Sequence, residues 1–376
     1  MKKKIVYVAL AFVLLILLAV GVNKYNPYLR TDIFRSFAKG NWYITSEQDT
    51  IYTMGYYGIR KYLAAELEES VHLLAENDEF CVDRIFGRGG CVNGEYLYVT
   101  ARSFVPGVTD TKGNNGKLLI MEKSNLSLVK ELEYDIKLVE AKVVGNILVV
   151  SGLWGFDIYD CSSPNDPNVI FSYRHPKYRE YQGFDFIIKD GQLYAAFTLF
   201  GEGLEIWDIT DPTQARVVCE IPINKQMSDG NNLPGGQSMD VIVNYPYLYA
   251  TLGPTTETFK TEKDTRGVLV YDISNMDSVK KTAVLIPKAD WYSKNTGDKQ
   301  PTYITQYRDR IYVSFAEKGV AVFDITDPAK PRYKGTDDIS GEGALIQPVF
   351  ATEKGKLFVG SYYWKTIYSK DINKEK

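Results

Sequence analysis

The chain has 376 residues, of which 45% are hydrophobic, and a formal net charge of -3. The hydrophobic content is sufficient for a packed core, and the charge excludes the basic surface typical of nucleic-acid-binding proteins. Histidine occurs only at His72 and His175, which argues against a Ser-His-Asp triad or a multi-histidine metal site.

The N-terminus has a composition different from the rest of the chain. Lys2, Lys3 and Lys4 precede an unbroken apolar run from Ile5 to Val22. This run is long enough for a membrane-spanning helix, and the lysines favour a cytoplasmic N-terminus. We predict a cytoplasmic tip (1–4), a transmembrane signal-anchor helix (5–22), a linker (23–32) and an extracytoplasmic domain (33–376). The alternative is a signal peptide cleaved near Ala19-Val20-Gly21, which would make the protein secreted.

After the linker, two short phrases alternate along the chain. One has the form Leu-Tyr-Val, as at 97–99 and 311–313. The other reads Leu204-Glu-Ile-Trp-Asp-Ile-Thr-Asp-Pro212 and Val320-Ala-Val-Phe-Asp-Ile-Thr-Asp-Pro328, with weaker copies at 156–164 and 268–275. Alternating apolar residues bounded by Gly, Asn, Asp and Pro indicate strands. The Asp and Thr side chains of the second phrase are typical of turns.

Each repeat is interpreted as four strands, a to d, in which the first phrase forms strand b and the second forms strand c. In chain order, strands b, c and d are predicted at 51–54, 59–63 and 71–75; 97–100, 118–121 and 128–132; 147–150, 156–159 and 169–173; 193–197, 204–207 and 215–221; 248–251, 268–271 and 282–286; and 311–315, 320–323 and 332–335. A seventh unit has three strands, at 345–350, 357–360 and 366–369.

A β-rich unit repeated every 40 to 55 residues or so indicates small sheets stacked around an axis. We therefore predict an all-β fold, a single β-propeller of four-stranded blades. Seven blades are expected, with Ile33 to Ala38 supplying the fourth strand of the last blade and so covering an exposed edge. Six blades are the alternative, because the first unit lacks the Asp-Ile-Thr-Asp-Pro ending.

The phrases at 204–212 and 320–328, with the weaker copies at 156–164 and 268–275, resemble the LVIVD-repeat family of bacterial β-propellers. With the strands before them, the resemblance covers most of residues 95 to 335 and thins at both ends. It implies an exported, often surface-associated propeller whose molecular role is usually undefined. It implies no catalytic residues.

Long connections are predicted to gather on one face of the propeller. In a four-stranded antiparallel blade, the b-to-c and d-to-a connections emerge on the same side. The long b-to-c segments are 103–117 and 253–267, and the long d-to-a segments are 175–182, 224–237 and 288–300. Loops on a rigid scaffold commonly carry function, although long loops are also tolerated without one. We call this side the loop face.

Aromatic residues in the same connections are the candidate ligand-binding residues: Trp154, Trp291, Tyr363 and Trp364. Exposed aromatics beside polar loops suit a protein, a peptide or a carbohydrate. The alternative is that they fill gaps between blades. The first functional hypothesis is thus a membrane-anchored extracytoplasmic binding module that requires no cofactor and is not an enzyme.

Three acidic residues give the second hypothesis. If Val149, Tyr194 and Tyr249 are equivalent, then Glu140, Asp185 and Asp240 lie nine positions earlier, at one level of strand a, while Gly89 and Tyr303 stand there in other blades. Carboxylates converging on a central channel could bind Ca²⁺ and support a hydrolase or lactonase-like enzyme. The structural alternative is that each carboxylate accepts hydrogen bonds from the inner strand of the next blade.

The four cysteines, Cys81, Cys91, Cys161 and Cys219, show no CxxC spacing. An exported protein could join Cys81 to Cys91. The interpretation we prefer is that all four are small buried hydrophobic residues.

Overall fold

The computed structural model describes residues 41–47, 50–55, 58–63, 72–77, 89–102, 116–177, 179–222, 238–253, 267–287, 301–315, 319–337, 339, 346–361 and 367–373. These residues form seven antiparallel sheets, six of four strands and one of three. Strands that are consecutive in sequence are neighbours in each sheet, so each sheet is one blade with strands a to d in order.

The strands of the first four blades are β1 to β16. Blade 1 contains β1 (Asn41–Glu47), β2 (Thr50–Gly55), β3 (Gly58–Leu63) and β4 (His72–Asn77). Blade 2 contains β5 (Gly90–Asn93), β6 (Tyr96–Arg102), β7 (Gly116–Glu122) and β8 (Leu128–Glu133). Blade 3 contains β9 (Leu138–Val144), β10 (Ile147–Gly152), β11 (Gly155–Asp160) and β12 (Asn168–Arg174). Blade 4 contains β13 (Tyr181–Lys189), β14 (Gln192–Leu199), β15 (Gly203–Asp208) and β16 (Arg216–Pro222).

The last three blades hold β17 to β27. Blade 5 contains β17 (Val241–Asn244), β18 (Tyr247–Leu252), β19 (Gly267–Asp272) and β20 (Lys280–Leu285). Blade 6 contains β21 (Ile304–Tyr307), β22 (Arg310–Ser314), β23 (Val320–Asp324) and β24 (Arg332–Asp337). Blade 7 contains β25 (Ile346–Ala351), β26 (Lys356–Ser361) and β27 (Ile367–Asp371).

The architecture confirms the predicted all-β propeller and its seven blades, so the six-blade alternative is wrong. All predicted b, c and d strands are present, with ends that differ by one or two residues. The segment Ile33 to Ala38, predicted to complete blade 7, lies outside the described residues.

The core consists of layers between neighbouring blades. Buried side chains of blades 4 and 5 form one such cluster, around Ile206 and Leu248, and those of blades 2 and 3 form another, around Ile120 and Leu148. Ile44 and Tyr62 of blade 1 pack with Phe358 of blade 7, which closes the ring. Because both faces of each sheet are covered by another sheet, the strands are apolar on both sides.

The Asp-Ile-Thr-Asp-Pro phrase forms a turn after strand c, as predicted. The Asp208 side chain accepts a hydrogen bond from the Thr210 N–H at 3.1 Å. Its equivalent Asp324 accepts one from the Thr326 N–H at 2.9 Å and one from the Thr326 hydroxyl at 2.7 Å. These bonds hold the pKa of the Asp324 carboxyl below its usual value.

The buried Cys161 packs in the layer between blades 2 and 3, with Cys91 against it, and Cys219 packs between blades 4 and 5. All three are free cysteines, and Cys81 lies outside the described residues. The described part of the chain contains no helix that is both long and apolar enough to cross a membrane. The predicted anchor at 5–22 lies outside that part.

Candidate functional site: the loop face and the central channel

The loop face is seen best where blades 3, 4 and 5 meet. The Trp154 N–H, in the b-to-c turn of blade 3, donates to the Arg179 carbonyl at 2.7 Å. The Phe200 N–H, in the b-to-c turn of blade 4, donates to the Glu180 carbonyl at 3.2 Å, and the Ser238 N–H donates to the Phe200 carbonyl at 2.8 Å. The b-to-c turns therefore contact the d-to-a connections on one face, as strand order requires.

Of the five long connections, the one at 175–182 is described except for residue 178. The other four, at 103–117, 224–237, 253–267 and 288–300, lie outside the described residues apart from a few residues at the ends of two of them. The strand ends that flank these four segments belong to b-to-c and d-to-a connections.

Trp154 is the one candidate aromatic that lies within the described residues; Trp291, Tyr363 and Trp364 lie outside them. Its residue surface is 40% exposed, and its backbone has a φ of 87°. This left-handed conformation is uncommon for a residue with a large side chain. It typically costs about 1–3 kcal/mol and is found mainly where the surrounding structure or function requires it.

A cavity of about 420 Å³ opens beside this turn, on the loop-face side of blade 4. Its walls combine apolar and charged side chains, provided by Leu199, Leu204, Ile221, Pro222, Arg179, Glu202, Glu205 and Glu220, with Gly201 at its edge. No sequence motif predicts this cavity, because its residues come from three separate segments, at 179, 199–205 and 220–222.

Glu205 forms the polar base of the cavity and is 2% exposed. It is ion-paired with Arg179, and it accepts hydrogen bonds from the Tyr181 hydroxyl at 2.8 Å and from the Trp207 Nε1–H at 2.9 Å. Burial, followed by the negative charge of Glu205, raises the pKa of Tyr181 far above its usual value. Tyr181 therefore stays protonated and serves as a hydrogen-bond donor.

The central channel contains the three predicted acids, which line one small cavity of about 140 Å³ together with Lys142. The acids do not share one level, and that part of the prediction is wrong. Ladder pairing places Asp185 opposite Ala196 and Lys142 opposite Val149. Asp185 is thus equivalent to Lys142, two residues along strand a from the level of Glu140 and Asp240.

The error came from the Leu-Tyr phrase of blade 4. Tyr194 pairs with Asp208 at the end of strand c, whereas Tyr249 pairs with Val270, two residues before the equivalent Asp272. The two phrases are therefore out of register by two residues. Gly183 occupies the acid level in blade 4, because a side-chain Cβ there would lie 2.6 Å from Asp240 Oδ1 and 2.9 Å from Met239 O.

Each acid caps a backbone N–H of the next blade. Glu140 accepts from the Phe184 N–H at 3.0 Å, Asp185 from the Val243 N–H at 2.8 Å, and Asp240 from the Ile304 N–H at 3.1 Å. Strand a is the inner edge of every sheet, so one side of its backbone has no neighbouring strand, and a buried N–H there needs a partner. The structural alternative given above for these acids is confirmed.

Lys142 places a positive charge among the same three carboxylates. Its Nζ lies 3.4 Å from Glu140 Oε1 and donates to the Phe184 carbonyl. Burial alone would lower the pKa of Lys142, but Glu140, Asp185 and Asp240 together raise it well above its usual value. In the part of the chain that the structure describes, no group of three or more His, Cys, Asp or Glu is arranged to hold a metal ion.

The sequence matches no protein-family model and no curated protein, so the resemblance to the LVIVD-repeat family stays a prediction. Among solved structures, the chain is similar to the Neurospora crassa Pan2 WD40 domain, with a TM-score of 0.56 and 10% identity over 89% of this chain and 93% of that one. It is also similar to the WD40 β-propeller domain of Doa1, with a TM-score of 0.53 and 9% identity over 86% and 90% of the two chains.

A third similar structure is a chain of the Mitotic Checkpoint Complex, with a TM-score of 0.53 and 12% identity over 84% of this chain and 86% of that one. At these identities the likeness establishes the fold alone. The chain is a seven-bladed β-propeller, an architecture that commonly serves as a protein-binding module.

Proposed function

We propose that the protein is a membrane-anchored, extracytoplasmic binding module that holds a partner protein on its loop face. The observation that carries the proposal is the pairing of an exposed, conformationally strained Trp154 with an open cavity of about 420 Å³ on one face. The channel acids, in contrast, are engaged in bonds between blades.

The anchor part of the proposal rests on Lys2 to Lys4 and on the apolar run from Ile5 to Val22. It is tested by N-terminal sequencing of the protein from the membrane fraction and by protease treatment of intact cells. An intact N-terminus together with digestion of the propeller from outside would agree with it. A propeller that is protected until the cells are lysed would contradict it.

A protein is preferred over a peptide or carbohydrate as the partner because propellers commonly bind proteins, and one of the similar chains comes from a multiprotein assembly. The test is retention of extracytoplasmic proteins by the immobilised full-length chain and by Trp154→Ala and Trp364→Ala variants. Ile188→Ala is the matched control, because Ile188 is 64% exposed and stands two residues before the a-to-b turn, on the opposite face.

A specific protein retained by the wild type and the control, but lost from the Trp variants with unchanged melting temperature (Tm), supports the proposal. Equal retention by the wild type, the two Trp variants and the control would show that the loop face does not bind the partner. The enzyme alternative, a Ca²⁺-dependent hydrolase, predicts that Ca²⁺ raises Tm after EDTA treatment, because a ligand bound only to the folded state stabilises it. We expect no change in Tm, given the position of Lys142.

A further inference from the structure

The cavity beside Trp154 has walls of two kinds. Leu199, Leu204, Ile221 and Pro222 provide apolar surface, and Glu202, Glu205 and Glu220 provide carboxylates. A long side chain with an aliphatic stem and a charged end matches such walls. Lysine and arginine are the two side chains of this kind.

The charges of the cavity are unbalanced toward the negative. Among the described residues that line the cavity, three carboxylates face a single guanidinium, that of Arg179. Arg179 is already engaged, because its Nε lies 2.8 Å from Glu202 Oε2 and its Nη1 is paired with Glu205. Within the described residues, the side chain of Glu220 makes no hydrogen bond and no ion pair, and its charge acts on Arg179 only from a distance.

Glu220 also stands in an unfavourable place. It lies directly opposite Glu205 in the ladder between β15 and β16. Like charges in directly opposed positions destabilise a sheet. A positive group bound between Glu202 and Glu220 would offset this repulsion, and it would be screened from water on one side by the apolar wall.

Trp154 extends this surface. Its N–H donates to the carbonyl of Arg179, which lines the cavity, so the exposed Trp154 belongs to the turn next to it. Aromatic side chains with an apolar body and a polar N–H are typical anchors of protein interfaces. The strained Trp154 thus lies next to a residue that lines a largely acidic cavity.

We propose that this cavity binds an arginine or lysine side chain of an extended segment of the partner protein, with Glu220 and Glu202 as the recognition carboxylates and Trp154 contacting the neighbouring residues. The inference rests on the proposed function and adds the chemistry that the partner must present. It predicts that a basic residue lies at the centre of the partner's contact surface.

The test uses a fluorescent arginine-containing pentapeptide and an otherwise identical peptide with citrulline, which has nearly the same shape but no charge. Binding to the full-length chain is measured by fluorescence anisotropy at low and high salt. We expect the arginine peptide to bind more tightly than the citrulline peptide, and Glu220→Gln to weaken it about fivefold, the factor that corresponds to ~1 kcal/mol. Glu133→Gln, an exposed glutamate of strand d in blade 2, is the matched control and should change nothing.

The conservative Glu220→Gln change lies at an exposed position, and an unchanged Tm confirms that the variant folds. Equal binding of the two peptides, or an unchanged affinity in Glu220→Gln, overturns the proposal. Binding of a neutral oligosaccharide in place of the arginine peptide also overturns it. If the partner protein is retained through Trp154 but the arginine peptide is not bound, this inference fails and the proposed function stands. If the peptide is bound in the cavity and no protein is retained, the proposed function fails.

Discussion

The contacts between blades can be tested by a pair of isosteric substitutions in the central channel, Asp240→Asn and Asp185→Asn. The two carboxylates use their oxygens differently. Asp240 accepts from the Val241 N–H through Oδ1 at 2.9 Å and from the Ile304 N–H through Oδ2 at 3.1 Å. Among the described residues, Asp185 accepts one hydrogen bond, through Oδ2 from the Val243 N–H.

An asparagine at 185 can place its amide oxygen where Oδ2 was, so one charge-assisted bond becomes a neutral one at a cost of about 0.5–1 kcal/mol. An asparagine at 240 has one oxygen for two N–H donors. Its NH₂ group must then face one of them, and a buried donor without an acceptor costs about 1–3 kcal/mol. Since Asp240 is 8% exposed, water has little access to replace the lost acceptor.

Electrostatics alone predicts the opposite order. Asp185 raises the pKa of Lys142 more than Asp240 does, so removing the charge at 185 would cost more if attraction to Lys142 were the main contribution. The Tm values of the wild type and both variants, measured at pH 7 on the full-length chain, decide between the two. We expect Asp240→Asn to lower Tm clearly more than Asp185→Asn. An equal or larger effect at 185 would refute the hydrogen-bond argument.

Three further predictions follow from the same structure. Gly183→Ala should destabilise the protein by about 1–3 kcal/mol in urea unfolding, because the new Cβ meets backbone atoms of blade 5. Gly201→Ala, where a Cβ meets nothing within 4 Å, should be neutral or slightly stabilising. A larger loss of stability in Gly201→Ala than in Gly183→Ala would contradict the packing. Asp324→Asn should lower Tm at pH 7. The folded pKa of Asp324 is below its usual value. Asp324 therefore stabilises the fold at pH values above the usual carboxyl pKa, and this stabilisation is lost as the pH falls through the folded pKa. A Tm difference between variant and wild type that persists at the acid end of a pH series would contradict this. Burial raises the pKa of Cys219 to about 11. At pH 8 the Cys219 thiol should therefore be alkylated roughly a hundredfold more slowly in the folded chain than in guanidinium, as measured by mass spectrometry. Equal rates would show that the thiol is not buried as described.

The repeat phrases were sufficient to predict the blades because each has a strong local basis. Strand b and strand c are apolar on both sides, and the turn after strand c is closed by its own Asp and Thr side chains, as at Asp324 and Thr326. Blade 7 carries a further copy of this turn, in which Asp371 accepts from the Asn373 N–H at 2.9 Å. This copy is not apparent from the repeated phrase, because Ser369 and Lys370 precede Asp371 where the other copies have an apolar and an aromatic residue.

The level of each side chain in the channel could not be predicted in the same way. The Leu-Tyr phrase lies at the same distance from the a-to-b turn in blades 4 and 5, but the a-to-b hairpin of blade 4 extends two residues further past the end of strand c. Only the ladder between strands b and c reveals this shift at Tyr194. The cavity on the loop face was missed for another reason. Arg179 lies in the connection before blade 4, whereas Glu205 and Glu220 lie on strands c and d of that blade, and no local pattern links the three.

The carboxylate bonds between inner strands have a consequence for how this chain can change. Each of Glu140, Asp185 and Asp240 ties its own sheet to one particular amide of the following sheet, which fixes neighbouring sheets against sliding along the axis. Insertions at the ends of the strands then leave the position of every other connection unaltered. The connections at the rim can therefore change in sequence and length one at a time, while the sheets keep their places.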